Sequence, residues 1–170
     1  MLVIKNCRIF DSINKRIILK KAILIKENTI YKIEDEDNLK TSQNDKIIDA
    51  KGKTIIPGMI DCHLHTAMFN CMTFHNFRVA QWEIRPELQQ MYSLFHAQMC
   101  FDMGFTTLRD LGLATSRGLL TAEICAVRDS IDLGLFPGPR MLVAGWSHIT
   151  GSHLDLIMPR AAVRQKDQCA

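Results

Sequence analysis

Ile56-Pro57-Gly58-Met59-Ile60-Asp61-Cys62-His63-Leu64-His65 is where the character of this chain changes. Upstream of it, residues 1–56 hold short apolar pieces separated by polar turns. Residues 2–4 and 8–10 flank Asn6, 17–19 and 22–25 follow, and Glu27-Asn28 makes a tight turn before 29–33. The polar stretch 40–46 reads as a loop, and 47–48 and 54–56 flank the turn Asp49-Ala50-Lys51-Gly52. Runs of this length bounded by turn residues predict a small, sandwich-like β domain over 1–56.

Downstream the pattern becomes strand, helix, strand, helix, strand. Residues 59–65 are the first strand, and an irregular stretch to Arg85 carries Phe69, Phe74, Phe77 and Trp82. Pro86 suits the first turn of a helix, in which Leu88, Met91, Phe95, Met99 and Met103 recur every three or four residues until Gly104. This methionine-rich stripe is expected to pack on the sheet. Residues 105–110 are the second strand, running into Leu111-Gly112. A second helix, capped around Thr115 or Ser116, places Leu120, Ile124, Val127 and Ile131 on one face and stops at Gly134. Pro137-Gly138-Pro139 then leads into a third strand over 140–145.

Such alternation predicts βαβ units and a parallel sheet. Right-handed crossovers put the three strands in sequential order with both helices on one side. A sheet of this kind curls towards a barrel, and a complete (β/α)8 barrel takes about 250 residues. Residues 57–170 therefore read as an incomplete TIM-type barrel that stops near its third strand.

Composition narrows the functional classes. A hydrophobic fraction of 47%, a charged fraction of 23% and a net charge of +3 are those of a globular protein, with Lys and Arg too scattered for a nucleic-acid partner. No run reaches the roughly 20 apolar residues of a membrane span. The N-terminus, broken at once by Lys5, does not read as a signal peptide. The run Glu34-Asp35-Glu36-Asp37 reads as a solvated loop. Six cysteines with no Cys-x-x-Cys pair suit reduced thiols in a cytoplasmic protein, and Cys62 reads as a small buried hydrophobe.

Along a strand the side chains alternate, so His63 and His65 point to one side and Leu64 to the other. Isolated His-x-His pairs also arise by chance. At the exit of a buried strand, however, two converging imidazoles can share a divalent cation, with zinc held at about 2.0–2.1 Å.

The segment 56–65, together with Gly104-Phe105-Thr106-Thr107-Leu108-Arg109-Asp110-Leu111-Gly112, resembles the amidohydrolase superfamily. Within it the similarity is to the imidazolonepropionase and Xaa-Pro dipeptidase-like subgroup. The resemblance implies a metal-dependent hydrolase that cleaves an amide or related C–N bond, in a dipeptide or cyclic amide, with metal-activated water. His63 and His65 inherit the role of ligands to a divalent metal, usually zinc. Asp61 is implied as an orienting residue behind the pair, with a strand-end cap as the alternative reading. Gly151-Ser152-His153 resembles the Thr-Gly-Gly-His segment after the third strand, which gives His153 a substrate-binding role; Ser152 stands where that pattern has its second glycine. His148 reads as a loop histidine. Arg109 and Asp110 read first as a buried salt bridge holding the second strand, and His96 as an ordinary packing or surface residue. His75 carries no functional reading.

The same resemblance implies further ligands on later strands: a carboxylated lysine after the fourth, histidines after the fifth and sixth, and an aspartate after the eighth. Residues 161–170 read as a loop before a further helix. The expected partners are thus a small amide or peptide substrate, the remaining barrel strands in the same or another chain, and a second copy paired through the third strand's open edge. The alternative is a non-catalytic truncated fragment or assembly subunit.

Overall fold

The computed structural model describes residues 1–68, 83–112, 114–115, 118–119 and 121–144. The chain divides into two compact units, Met1–Pro57 and Gly58–Ala170.

In the first unit, β1 (Leu2–Asp11), β2 (Arg16–Lys26) and β3 (Thr29–Asp35) form an antiparallel meander. On the other side of β1, β4 (Lys46–Asp49) pairs in parallel with its first half and β5 (Thr54–Ile55) with its second half, giving one five-stranded sheet. The apolar pieces on either side of Asn6 belong to one strand, and 17–19 and 22–25 likewise join. Asn6 and Lys20 adopt positive φ of 53° and 54° where the β1–β2 register shifts, so each is a bulge and not a strand end. The bulges let the sheet bury residues on both faces: Val3, Ala22 and Leu24 in one cluster, Cys7, Ile9 and Ile23 in another. The acidic run is not simply loop. Glu34 and Asp35 end β3, a 3-10 turn spans Glu36–Asn38, and Glu36 accepts the Asn6 amide hydrogen.

In the second unit, β6 (Met59–Leu64), β7 (Phe105–Asp110) and β10 (Arg140–Val143) form a parallel sheet in the order β10-β7-β6. Helix α1 (Pro86–Asp102) links β6 to β7, and α2 (Thr121–Asp132) links β7 to β10. Both pack on the same face, because Ala97 of α1, Ile124 and Val127 of α2, Leu108 of β7 and Met141 of β10 share one core. The expected sequential order and one-sided helices are therefore present. Among the described residues, β6 and β10 each have one sheet partner.

Two details depart from expectation. The second helix starts at Thr121, and Thr115 lies instead in β8 (Ala114–Thr115), which pairs with β9 (Gly118–Leu119) in a short hairpin; Ser116 is outside the described residues. The helix ends as read, on Gly134 at φ +74° with the Leu135 amide bonded back to the Ser130 carbonyl.

The larger departure is in α1. Pro86 does open it, but Met91 is 61% and Phe95 55% exposed, and Leu88, Met99 and Met103 are exposed with them. The face turned inward is Gln89, Ser93 and Ala97, flanked by half-buried Leu94 and Cys100. Ser93 and Ala97 are small where the helix comes close: the Ser93 hydroxyl lies 2.6 Å from that of Thr66, just past the end of β6. A Leu or Met in place of Ser93 would push the helix off that contact.

Gly58 opens the second unit where nothing larger fits. A Cβ built there falls 2.1 Å from Thr106 Oγ1 and 2.7 Å from its Cβ, too deep to be relieved by a rotamer change. Gly58→Ala is expected to destabilise the chain by about 1–3 kcal/mol. Thr106→Gly in the same chain should recover part of that loss, and urea unfolding of the double-mutant cycle measures it; strict additivity would mean the contact is absent in solution.

Three carboxylates of the first unit have pKa values held below the ordinary 3.8: Asp11 by the Asn14 side-chain amide, Asp45 by the Ser42 backbone amide, and Asp49 by the Lys51 backbone amide and then Asn6. A depressed folded-state pKa contributes stability that is present above the unfolded value and lost as pH falls through the folded one. Thermal stability should therefore be level from neutral pH to just above 4 and fall below it. Asp49→Asn should flatten that fall; an unchanged acid slope would show that Asp49 does not contribute to it.

Candidate functional site

The C-terminal ends of β6 and β7 carry the candidate residues, and a bulge decides which way they point. Asp61 pairs with Leu108 and Leu64 with Asp110, so Cys62 and His63 together oppose Arg109. Leu108 and Asp110 are buried on the helix side, whereas Arg109 is exposed. The extra residue resets the alternation: Asp61 and Leu64 go with the helix side, Cys62 and His63 with the Arg109 side.

Two sequence readings change as a result, and for Asp61 the strand-end cap is the one that holds. Cys62 is exposed, not buried, because the bulge carries it out with His63. Asp61 does not stand behind an imidazole; its Oδ1 accepts the backbone N–H of His63 at 2.9 Å and so satisfies the donor that the bulge takes out of the ladder. Its carboxylate is also felt at α1, where burial first, and then Asp61, push the Cys100 thiol up. Arg109 and Asp110 form no ion pair with one another. Successive strand residues face opposite ways, and Asp110 is bonded by amides and a hydroxyl instead.

The two histidines flank Leu64, which packs against the core. Their ring centroids are 5.6 Å apart with the planes at 79°. Two imidazoles on one tetrahedral ion at about 2.0–2.1 Å place their centroids roughly 5–6 Å apart, so this pair fits a shared cation. His65 has a fixed tautomer: its Nδ1 lies 2.5 Å from the Gly112 carbonyl oxygen, which can only accept, so Nδ1 carries the hydrogen and Nε2 the lone pair. Gly112 reaches this position at φ +76°, a conformation that favours glycine. Among the described residues no group of three His, Cys, Asp or Glu side chains could hold a metal. The pair alone is thus two ligands of a site that needs about three.

Beneath the histidines lies a polar cluster that pattern reading missed. Asp110, fully buried, accepts the Thr66 amide on Oδ2 at 2.8 Å, the Thr66 hydroxyl on the same oxygen, and the Gly112 amide on Oδ1 at 2.7 Å. Thr66 Oγ1 also meets Ser93, and His96 donates from Nδ1 to the Thr66 carbonyl at 2.7 Å while its ring lies beside Tyr92 and Phe95. His96 is therefore a tie between α1 and the end of β6. A Ser on the inward face of an apolar helix, facing a Thr two residues past a strand, was the available signal. His153, His148 and His75 lie outside the described residues.

A parallel βαβαβ sheet with an imidazole pair at the mouth of its first strand defines a class, and comparison with known proteins gives the family. Residues 54–167, about two thirds of the chain, match the amidohydrolase family model, and the chain belongs to that family. It is 42% identical over 65 residues to a dihydroorotase of Clostridioides difficile (strain 630), covering 38% of this chain and 15% of that protein. It is 42% identical over 57 residues to a 5-methylthioadenosine/S-adenosylhomocysteine deaminase of Halothermothrix orenii, covering 32% and 13%. Among solved structures, a Xaa-Pro dipeptidase with methionine bound in the active site aligns over 91% of this chain and 36% of its own, at 26% identity and a TM-score of 0.72. The aligned region thus spans about a third of the solved relative and less than a sixth of the two sequence relatives.

Asp61→Ala would leave the His63 amide without its acceptor. A loss of about 0.5–1.5 kcal/mol in unfolding free energy is expected. Amide exchange at His63 should accelerate with it; unchanged exchange would show that this bond does not form.

Proposed function

We propose that this chain is the N-terminal portion of a metal-dependent amidohydrolase that hydrolyses an amide or related C–N bond, in a dipeptide or cyclic amide. The observation that carries the reading is the His63–His65 pair, 5.6 Å apart at the end of the first strand of a parallel sheet. Three kinds of relative support the bond class: a dihydroorotase, deaminases and a Xaa-Pro dipeptidase. On this reading the sheet is the first part of a TIM-type barrel, and the remaining strands come from the same polypeptide or another chain. The small sheet before it is part of a sandwich-like unit, and the protein works in the cytoplasm.

His63 and His65 would hold the ion, zinc by their donor chemistry. Once bound, a divalent cation supplies Lewis acidity, polarising the scissile carbonyl and making water a nucleophile near neutral pH. The chain's own residues do the rest of what can be assigned. The Gly112 carbonyl keeps the proton on Nδ1 of His65, Leu64 anchors the strand end in the core, and Asp61 holds the His63 backbone. His153 is assigned to substrate contact. With two ligands in hand, the 170-residue chain by itself is expected to bind metal and not to turn over substrate.

Purification without chelators followed by elemental analysis tests this. About one divalent ion per chain is expected, falling well below that in His63→Ala and His65→Ala. Sub-stoichiometric metal in the parent chain, unchanged by His65→Ala, would remove the ligand assignment.

A further inference from the structure

The hydrogen bonds around Asp110 close a circuit. The His65 ring donates to the Gly112 carbonyl, the Gly112 amide donates to Asp110 Oδ1, and Asp110 Oδ2 accepts the amide of Thr66, the residue bonded to His65. One carboxylate therefore holds both ends of the imidazole's anchorage: the backbone that carries the ring and the residue that accepts its hydrogen bond. Strand pairing alone does not do this, since the β6–β7 ladder reaches only Leu64, whose carbonyl accepts the Leu111 amide. Beyond that point the chain after β6 is tied to the chain after β7 through Asp110.

We propose that Asp110 is a positioning residue that sets the tautomer and aim of His65, so that Nε2 faces the cation site. The proposal rests on the metal-ligand reading for its purpose but not for its geometry. Asp110 touches neither ion nor substrate. It is fully buried on the helix side, as is the Thr66 hydroxyl that caps it, and Ser93 and His96 of α1 hold Thr66 from behind. A carboxylate is the group this place needs, because three donors converge on its two oxygens and it brings no hydrogen of its own. An amide of the same shape would turn an NH2 towards either the Gly112 or the Thr66 donor.

The test uses Asp110→Asn in the 170-residue chain, with two readouts. The first, without metal and at a pH where imidazoles are neutral, is the tautomer of His65 from its ring 15N shifts. The parent should show hydrogen on Nδ1, and the variant a mixture. The second is affinity for Co2+ followed by its visible spectrum, expected to weaken 10- to 100-fold, the range seen when a partner behind a ligating histidine is lost. Ile124→Val, which loosens the core without touching the circuit, should change neither and separates positioning from general destabilisation. An unchanged tautomer and unchanged Co2+ affinity in Asp110→Asn overturn the proposal. If the parent binds no Co2+ yet the tautomer shifts as expected, the positioning role stands and the metal reading falls. Should Asp110→Asn fail to fold by circular dichroism, Thr66→Val, which removes the hydroxyl contacts to Asp110 and Ser93 and keeps the amide bond to Asp110, replaces it. A smaller tautomer shift in the same direction then supports the proposal, and none overturns it.

Discussion

The candidate site depends on how the chain is held just past the ends of two parallel strands. There the regular ladder stops, and backbone donors that would otherwise face water or go unpaired need partners. In this molecule a single buried carboxylate on Asp110 takes two of them, at Thr66 and Gly112. The requirement propagates into α1, where Ser93 and His96 reach Thr66. Packing and site geometry are one constraint here: the same close approach that keeps the helix small at Ser93 fixes the loop that carries His65.

How much of this was legible depends on which signal each element carries. The second helix was read on the correct face because Ile124 and Val127 are large, apolar and buried, and Gly134 ends it by a local φ requirement. The first helix was misread by the same method. Its large apolar residues repeat as regularly as any core stripe, yet the sheet selects Gln89, Ser93 and Ala97. Periodicity identifies a helix; it does not say which of two adjacent faces meets the sheet when hydrogen bonding at a strand end decides the matter.

Bulges were the other blind spot. Asn6 and Lys20 look like breaks between strands, and both are single residues at positive φ inside longer ones. At Cys62–His63 no residue type marks the insertion at all. Counting by twos put Cys62 with the core, whereas the β6–β7 register puts it on the exposed side with His63. The relation of His63 to His65 survived because both lie beyond the insertion's first residue. The circuit through Asp110 had no sequence signature, since it is made of two side chains and three backbone groups from segments more than 40 residues apart.

The electrostatics of the exposed side say what must complete a site built on this pair. Two neutral imidazoles bring no charge to offset a dication, and the residue opposite His63 and Cys62 in the sheet, Arg109, is itself cationic. Asp61 and Asp110, the two carboxylates at this end of β6 and β7, are committed to backbone donors. A divalent ion held between His63 and His65 therefore has its charge uncompensated by these two strands, and charge near a dication dominates local energetics. On the metal-ligand reading proposed above, anionic compensation would have to come from groups other than Asp61 and Asp110. The amidohydrolase pattern implies both kinds of ligand on later strands, neutral histidines and the anionic carboxylated lysine and aspartate, and it is the anionic ones that would offset the charge of an ion held by this pair.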